Sequence, residues 1–102
     1  IAEHAAELYI SAISAFEIGI KHRRRGLVLP HEPEIWFPRA LVLHGISEIA
    51  VSSQIALASV RLPPLHEDPM DRIIIATALE ADLAILTPDE HIATYPDVRV
   101  IW

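Results

Sequence analysis

The stretch HEDPMDRIIIATA, residues His66–Ala78, contains the strongest helix signal in the chain. Asp68 is a good N-cap residue, and Pro69 follows it at the first helical position, where its missing N–H costs nothing. An Ile- and Ala-rich run comes next, with Asp71 in the first turn. These features predict a helix over Pro69–Ala81.

Outward from this helix, short apolar runs alternate with helical periods. Strands are predicted over Leu8–Ile10, Ile46–Val51, Leu83–Leu86 and Val98–Trp102, the first and third of them buried. Further helices are predicted over Ile13–Arg25, Glu34–His44, Ser53–Val60 and Pro88–Ala93, the first two of them ended by Gly26 and Gly45. Strands separated by helices predict an α/β fold with a mainly parallel sheet, in which sites form beyond the carboxyl ends of the strands.

Length and composition limit the class of protein. The 102 residues suffice for one domain, 1–102, and a hydrophobic fraction of 52% indicates a globular chain. The absence of cysteine excludes disulfides, thiolate metal sites and thiol catalysis, and is compatible with the cytoplasmic location that we expect. The apolar stretch Ile73–Leu79 is far too short to span a membrane, and no membrane association is expected.

The charge pattern disfavours simple nucleic-acid binding. The net charge is −6, whereas proteins that bind nucleic-acid backbones are usually basic. A metal-dependent nuclease is less affected by this objection, because bound cations neutralise its acidic cluster. Half of the eight basic residues lie within the segment 21–25, where Lys21 and Arg24 are candidates for contacts with nucleic-acid phosphates. The alternative is a solvated helix end with cations favoured by the helix dipole.

Three acidic residues lie close to predicted strand ends or helix starts, and they are Glu17, Asp71 and Asp89. If they meet at one edge of the sheet, they can hold Mg²⁺ or Mn²⁺, which prefer oxygen ligands. Such a site suits phosphodiester hydrolysis, because a divalent cation lowers the pKa of the attacking water.

Helix capping is the competing interpretation of the same acids. Ser14 with Glu17, and Thr87 with Glu90, have the spacing of a capping box. Glu17 can also pair with Lys21, four residues further along the helix. On spacing alone, capping and metal binding both remain open at each position.

Three motifs in order along the chain resemble those of PIN-domain ribonucleases of the VapC toxin type. The block from His66 to Ala78 is similar to the H-x-D-P-F-D-R motif of that family, with Met70 in place of Phe. The segment 11–21 resembles the part of the domain that carries the second acid, and 86–89 resembles the part that carries the last.

The resemblance implies a three-layer α/β/α fold and Mg²⁺-dependent endoribonuclease activity. It also implies a cognate antitoxin that covers the site, and a homodimer. By this resemblance, Glu17, Asp71 and Asp89 are the catalytic and metal-binding acids, and Asp68 has the capping role. Arg72 either orients an acid, contacts RNA phosphate or forms a plain salt bridge.

The N-terminal segment departs from the family pattern. Ile1–Glu7 matches only the end of the first helix, so the first strand and its Asp are expected to be absent and the domain to be incomplete. The alternative function is therefore a catalytically inactive PIN-like module that binds an antitoxin or another protein. His66 is expected to form a hydrogen bond in its loop rather than to bind metal, since the six histidines lack zinc-like spacing.

Overall fold

The computed structural model describes residues 7–101, in two compact units, Ile1–Ala50 and Val51–Trp102. Trp102, at the end of the last predicted strand, and residues 1–6 of the segment compared with the family's first helix lie outside the described residues. The prediction of a single domain stays a prediction.

The N-terminal unit contains two parallel strands and two helices. Its elements in chain order are β1 (Leu8–Ser11), α1 (Ile13–Arg23), α2 (Pro33–His44) and β2 (Ile46–Ile49). Strand β1 pairs with β2 in parallel, with Leu8 opposite Ile46. Helix α2 continues through Pro38 and ends at Gly45 in a left-handed conformation, as predicted.

The C-terminal unit contains three helices and a second parallel pair. Its elements are α3 (Ser53–Arg61), α4 (Pro69–Ala81), β3 (Ile85–Leu86), α5 (Glu90–Ala93) and β4 (Val100–Ile101). Strand β3 pairs with β4 in parallel. Both strand pairs thus have the predicted parallel direction, and the predicted helix over Pro69–Ala81 is confirmed at both ends.

Helix α4 supplies the centre of the core in the C-terminal unit. Ile75 is completely buried, and Ala78 lies one turn further along the same face. Ile85 of β3, Ile92 of α5 and the Tyr95 ring pack against them. This packing joins α4 to the segment that follows it, and both contribute acids to the candidate site.

Two predicted buried strands are only partly buried. Leu8 is 47% exposed in β1, and Leu86 is 66% exposed in β3, although Ile85 beside it is buried. Within the described residues each of these strands has a hydrogen-bonded neighbour on one side only. A strand paired on one side can leave alternate side chains in solvent, which the apolar composition did not reveal.

Two element ends differ from the prediction because non-glycine residues adopt positive φ. Arg25 rather than Gly26 is left-handed after α1, which ends at Arg23. Asp82 is left-handed after α4, and the Leu83 N–H then returns to the Ala78 carbonyl at 2.9 Å. This bond delays the next strand to Ile85. Among residues 7–101, no helix has the length and apolar character needed to cross a lipid bilayer.

Candidate metal centre

The beginning of α4 separates the roles of two acids that are three residues apart. The Asp68 carboxylate accepts hydrogen bonds from the N–H groups of Met70, at 2.9 Å, and Asp71, at 3.3 Å. Asp68 is therefore the N-cap of α4, as predicted. The Asp71 side chain, in the first turn, is half-buried and free for another partner than the helix backbone.

Asp89 begins α5, and it does so as the N-cap itself. Its Oδ1 accepts the His91 N–H at 2.9 Å, while Thr87 Oγ1 accepts the Asp89 N–H at 3.1 Å. The predicted capping box of Thr87 with Glu90 is therefore wrong, because the helix starts two residues later than expected. Hydrogen bonding from the His91 backbone lowers the pKa of Asp89 and favours its ionised form.

His66 brings an imidazole to the same place. Its Nε2 lies 2.7 Å from Asp71 Oδ2, and its ring stacks on His91 with centroids 5.8 Å apart and planes 11° apart. The hydrogen bond to Asp71 raises the pKa of His66, and the charge of Asp89 acts in the same direction. His66 therefore forms a side-chain hydrogen bond, as expected, but its partner is an acid of helix α4 and not a group of its own loop.

His66, Asp71 and Asp89 form a cluster of three half-buried side chains. Each offers one ligand atom, and these atoms lie within 4.8 Å of one another. Two carboxylates held this close repel each other unless a cation or a proton lies nearby. The donor set of two carboxylates and one imidazole fits a divalent cation of the first transition row and, through its oxygens, Mg²⁺.

Glu17 belongs to the N-terminal unit. It lies within α1, beyond the first turn, and its Oε2 is 3.8 Å from Lys21 Nζ, the ion pair that the spacing predicted. The predicted capping box with Ser14 is wrong, because α1 starts after Ala12, and Ser11 Oγ accepts the Ile13 N–H instead. Participation of Glu17 in the metal site stays a prediction.

Arg72 donates to a ring of oxygens around the loop between α3 and α4. Its guanidinium contacts no carboxylate among the described ion pairs, so the plain salt bridge that the sequence left open is not observed. Its hydrogen-bond acceptors are the carbonyls of Ser59, Val60, Leu62, Pro63 and His66 and the Tyr95 hydroxyl. These bonds fix the loop that carries His66.

The basic segment 21–25 lies at the end of α1 and is mostly exposed. Arg24 is exposed, and Lys21 forms an ion pair with Glu17. Arg23 and Arg25 line an open cleft of about 570 Å³, whose other walls carry acidic as well as neutral side chains. RNA binding by Lys21 and Arg24 therefore stays a prediction.

Sequence reasoning did not place His66 in the candidate metal centre, or His91 beside it. Metal-site searches by spacing look for ligands a few residues apart, whereas Asp71 and Asp89 are brought together by the packing of α4 and α5. A usable signal was present, since His66 opens the block of sequence that also contains Asp71. No comparable signal marks His91.

Comparison with known proteins identifies the family of this chain. The family described as PIN domain matches residues 1–98. Ribonuclease VapC22 of Mycobacterium tuberculosis is 30% identical over 103 residues, which cover 98% of this chain and 78% of that protein. No solved structure matches significantly. The helices and parallel strands agree with the three-layer α/β/α arrangement of this family. The chain therefore belongs to the PIN-domain family and, within it, to the VapC ribonucleases.

Proposed function

We propose that this chain is a Mg²⁺- or Mn²⁺-dependent endoribonuclease and the toxin of a toxin–antitoxin module. The observation that carries the proposal is the cluster of Asp71 and Asp89 with His66, whose ligand atoms lie within 4.8 Å of one another. Its occurrence in a chain with PIN-domain sequence supports hydrolysis of RNA phosphodiester bonds over a purely capping role for these acids.

The acids hold the cation, and their surroundings keep them ready to do so. Because Asp68 caps α4, the Asp71 carboxylate is left to contact His66, and the lowered pKa of Asp89 keeps its carboxylate ionised. Glu17 is proposed as a third acid of the site. When bound, the cation supplies a Lewis acid for the phosphate oxygens and a lowered pKa for water.

RNA must approach an acidic protein, so local positive charge is needed. Lys21, Arg24 and Arg72 are the proposed contacts to phosphate. For Arg72, such a contact requires the guanidinium to exchange part of its bonds to loop carbonyls. Contacts by Lys21 and Arg24 are expected to weaken with added salt, because they act mainly by charge.

The proposed partners follow from the similarity to VapC22. We expect a cognate antitoxin that covers the metal centre, a homodimer of this chain, and a cytoplasmic location, where substrate RNA is abundant. Sedimentation of the purified chain with and without its antitoxin measures the oligomer directly.

Cleavage of a labelled pool of single-stranded and hairpin RNAs tests the function. We expect cleavage with Mg²⁺ or Mn²⁺, none with a chelator, and a loss of at least about a hundredfold in Asp71→Asn, since metal ligands carry much of the rate. Asp82→Asn is the matched control, because Asp82 is 96% exposed, pairs with Arg99 and adopts a left-handed conformation that Asn tolerates.

Two outcomes contradict the proposal. Undiminished cleavage by Asp71→Asn with an unchanged melting temperature removes Asp71 from the reaction. Cation binding without cleavage of any RNA in the pool, together with tight binding of an antitoxin, identifies the inactive binding module instead.

A further inference from the structure

The His66 ring occupies a ligand position beside the acid pair. Its Nε2 is 2.7 Å from Asp71 Oδ2, and both residues belong to the three-residue cluster with Asp89. Two ligand atoms that lie about 2.1 Å from an octahedral cation and 90° apart are separated by about 3 Å. The observed separation is thus close to that of neighbouring ligands on one cation.

The extent of the cluster agrees with a single coordination sphere. Opposite ligands of an octahedral cation lie about 4.2 Å apart. The ligand atoms of His66, Asp71 and Asp89 lie within 4.8 Å of one another, so a small inward movement of one carboxylate completes the set. His91 lies outside this set, although it touches both Asp89 and the His66 ring.

The position of His66 is fixed by contacts that do not involve a cation. Its carbonyl accepts hydrogen bonds from Arg72, at 3.2 Å, and from the Tyr95 hydroxyl, at 3.3 Å. Its ring stacks on His91, which is itself held by Asp89 Oδ1 at 3.2 Å. Ring stacking and the hydrogen bond to Asp71 therefore orient the imidazole before a cation binds.

An imidazole ligand changes which cation the centre prefers. Mg²⁺ is bound almost entirely by oxygen, whereas neutral imidazole nitrogen binds cations of the first transition row well. We propose that His66 Nε2 is a third ligand of the centre and that it makes the centre prefer a divalent transition-metal ion over Mg²⁺. This inference rests on the cation site of the proposed function.

The alternative is that His66 only orients Asp71 through their hydrogen bond. The two roles differ in a measurable way. An orienting histidine supports binding of every cation about equally, and its nitrogen remains outside the coordination sphere. A ligand nitrogen couples magnetically to a bound Mn²⁺ and strengthens binding of Mn²⁺ more than binding of Mg²⁺.

Pulsed electron paramagnetic resonance of Mn²⁺ bound to the 102-residue chain tests ligation directly. We expect coupling to one directly bound ¹⁴N in the wild-type protein and its loss in His66→Gln, whose amide offers oxygen instead. His91→Gln tests whether the neighbouring imidazole is the ligand, and the coupling is expected to persist in it. His31→Gln, at an exposed histidine of the N-terminal unit, is the matched control and is expected to keep the coupling unchanged. Bound Mn²⁺ without ¹⁴N coupling in the wild-type protein, or coupling lost only in His91→Gln, overturns the inference.

Calorimetric titration with Mn²⁺ and with Mg²⁺ supplies a second readout. We expect His66→Gln to lower the ratio of Mn²⁺ to Mg²⁺ affinity about tenfold. Substitution of residues that only support metal ligands already lowers metal affinity by about 10- to 100-fold. An equal loss for both cations makes His66 an orienting residue and overturns the inference alone. If the wild-type chain binds neither cation, both the inference and the proposed metal site fail.

Discussion

Asp68 and Asp71 are three residues apart and of the same type, but they have different structural roles. The Asp68 carboxylate accepts hydrogen bonds from backbone N–H groups at the start of α4, whereas the Asp71 carboxylate is hydrogen-bonded to the His66 ring. The first arrangement depends on local backbone geometry alone and is readable from sequence. The second requires a loop histidine to return to the helix, so it depends on the fold of the loop between α3 and α4.

The cap at Asp68 gives the first prediction at this scale. Asp68→Ala is expected to reduce the free energy of unfolding by about 1 kcal/mol, because the N–H groups of Met70 and Asp71 lose their acceptor. Asp68→Asn retains an acceptor oxygen and is expected to lose only a fraction of this. Urea denaturation measures both, and equal losses in the two variants contradict the capping role.

The second prediction at this scale concerns the pH dependence of stability, which follows from the titration of His66 and Asp89. The raised pKa of His66 means that its pair with Asp71 stabilises the fold fully below about pH 6.5 and loses that effect as pH rises through the raised value. The lowered pKa of Asp89 adds stability above about pH 3.9 that is lost as pH falls through the lowered value. Their joint contribution is therefore largest between about pH 4 and pH 6.5.

Melting temperatures of the chelator-treated protein across this range measure the effect. In His66→Gln the decline on the alkaline side is expected to flatten, while the acidic side is retained. A melting profile that is identical in the variant and the wild-type protein removes His66 from the pH dependence.

At the scale of elements, Arg72 links the end of α3, the following loop and Tyr95. Its donors reach the carbonyls of Ser59 and Leu62 at 2.9 and 2.8 Å, where α3 ends and its last carbonyls lack helical partners. The same guanidinium reaches the His66 carbonyl. The position of His66 in the candidate metal centre therefore depends on a side chain that is directed at backbone oxygens.

Removal of Arg72 is predicted to cost more than removal of an ordinary surface charge. Arg72→Ala is expected to lower the free energy of unfolding by about 3 kcal/mol, the upper end for hydrogen bonds to a charged group. Arg72→Lys is expected to recover only part, because an ammonium has three donors where the guanidinium has five. Chemical denaturation measures both variants, and a full recovery by Lys contradicts the role of the planar donor array.

At the scale of the whole molecule, the question is whether the two compact units unfold as one domain. The PIN-domain match extends over residues 1–98 and so includes the whole of the first unit and most of the second. A single domain is expected to unfold in one cooperative step.

A substitution in one unit with a probe in the other tests this expectation. In a W102F background, Trp36 of the N-terminal unit is the remaining tryptophan. Ile75→Ala leaves a cavity in the C-terminal core and is expected to cost about 2–5 kcal/mol. We expect the Trp36 fluorescence transition to move down together with the far-ultraviolet circular dichroism. A Trp36 transition that does not move shows that the units unfold separately.

The alternation of helices with parallel strands and the complete extent of α4 were readable from the sequence. They follow from short-range physics, because apolar periodicity, the Asp68 cap and Pro69 act within a few residues of one another. The pair of acids Asp71 and Asp89 was also recognisable, through the motifs shared with the family.

Tertiary structure alone decided which side chains surround these acids. His66 and His91 stack although they are far apart in sequence, and Arg72 is directed at carbonyls of the preceding helix and loop instead of at an acid. Local propensity carries no information about such contacts, because they depend on the packing of α4, α5 and Tyr95 around Ile75. The motif therefore predicted the acids of the candidate site, whereas only the packing of the C-terminal unit placed an imidazole among them.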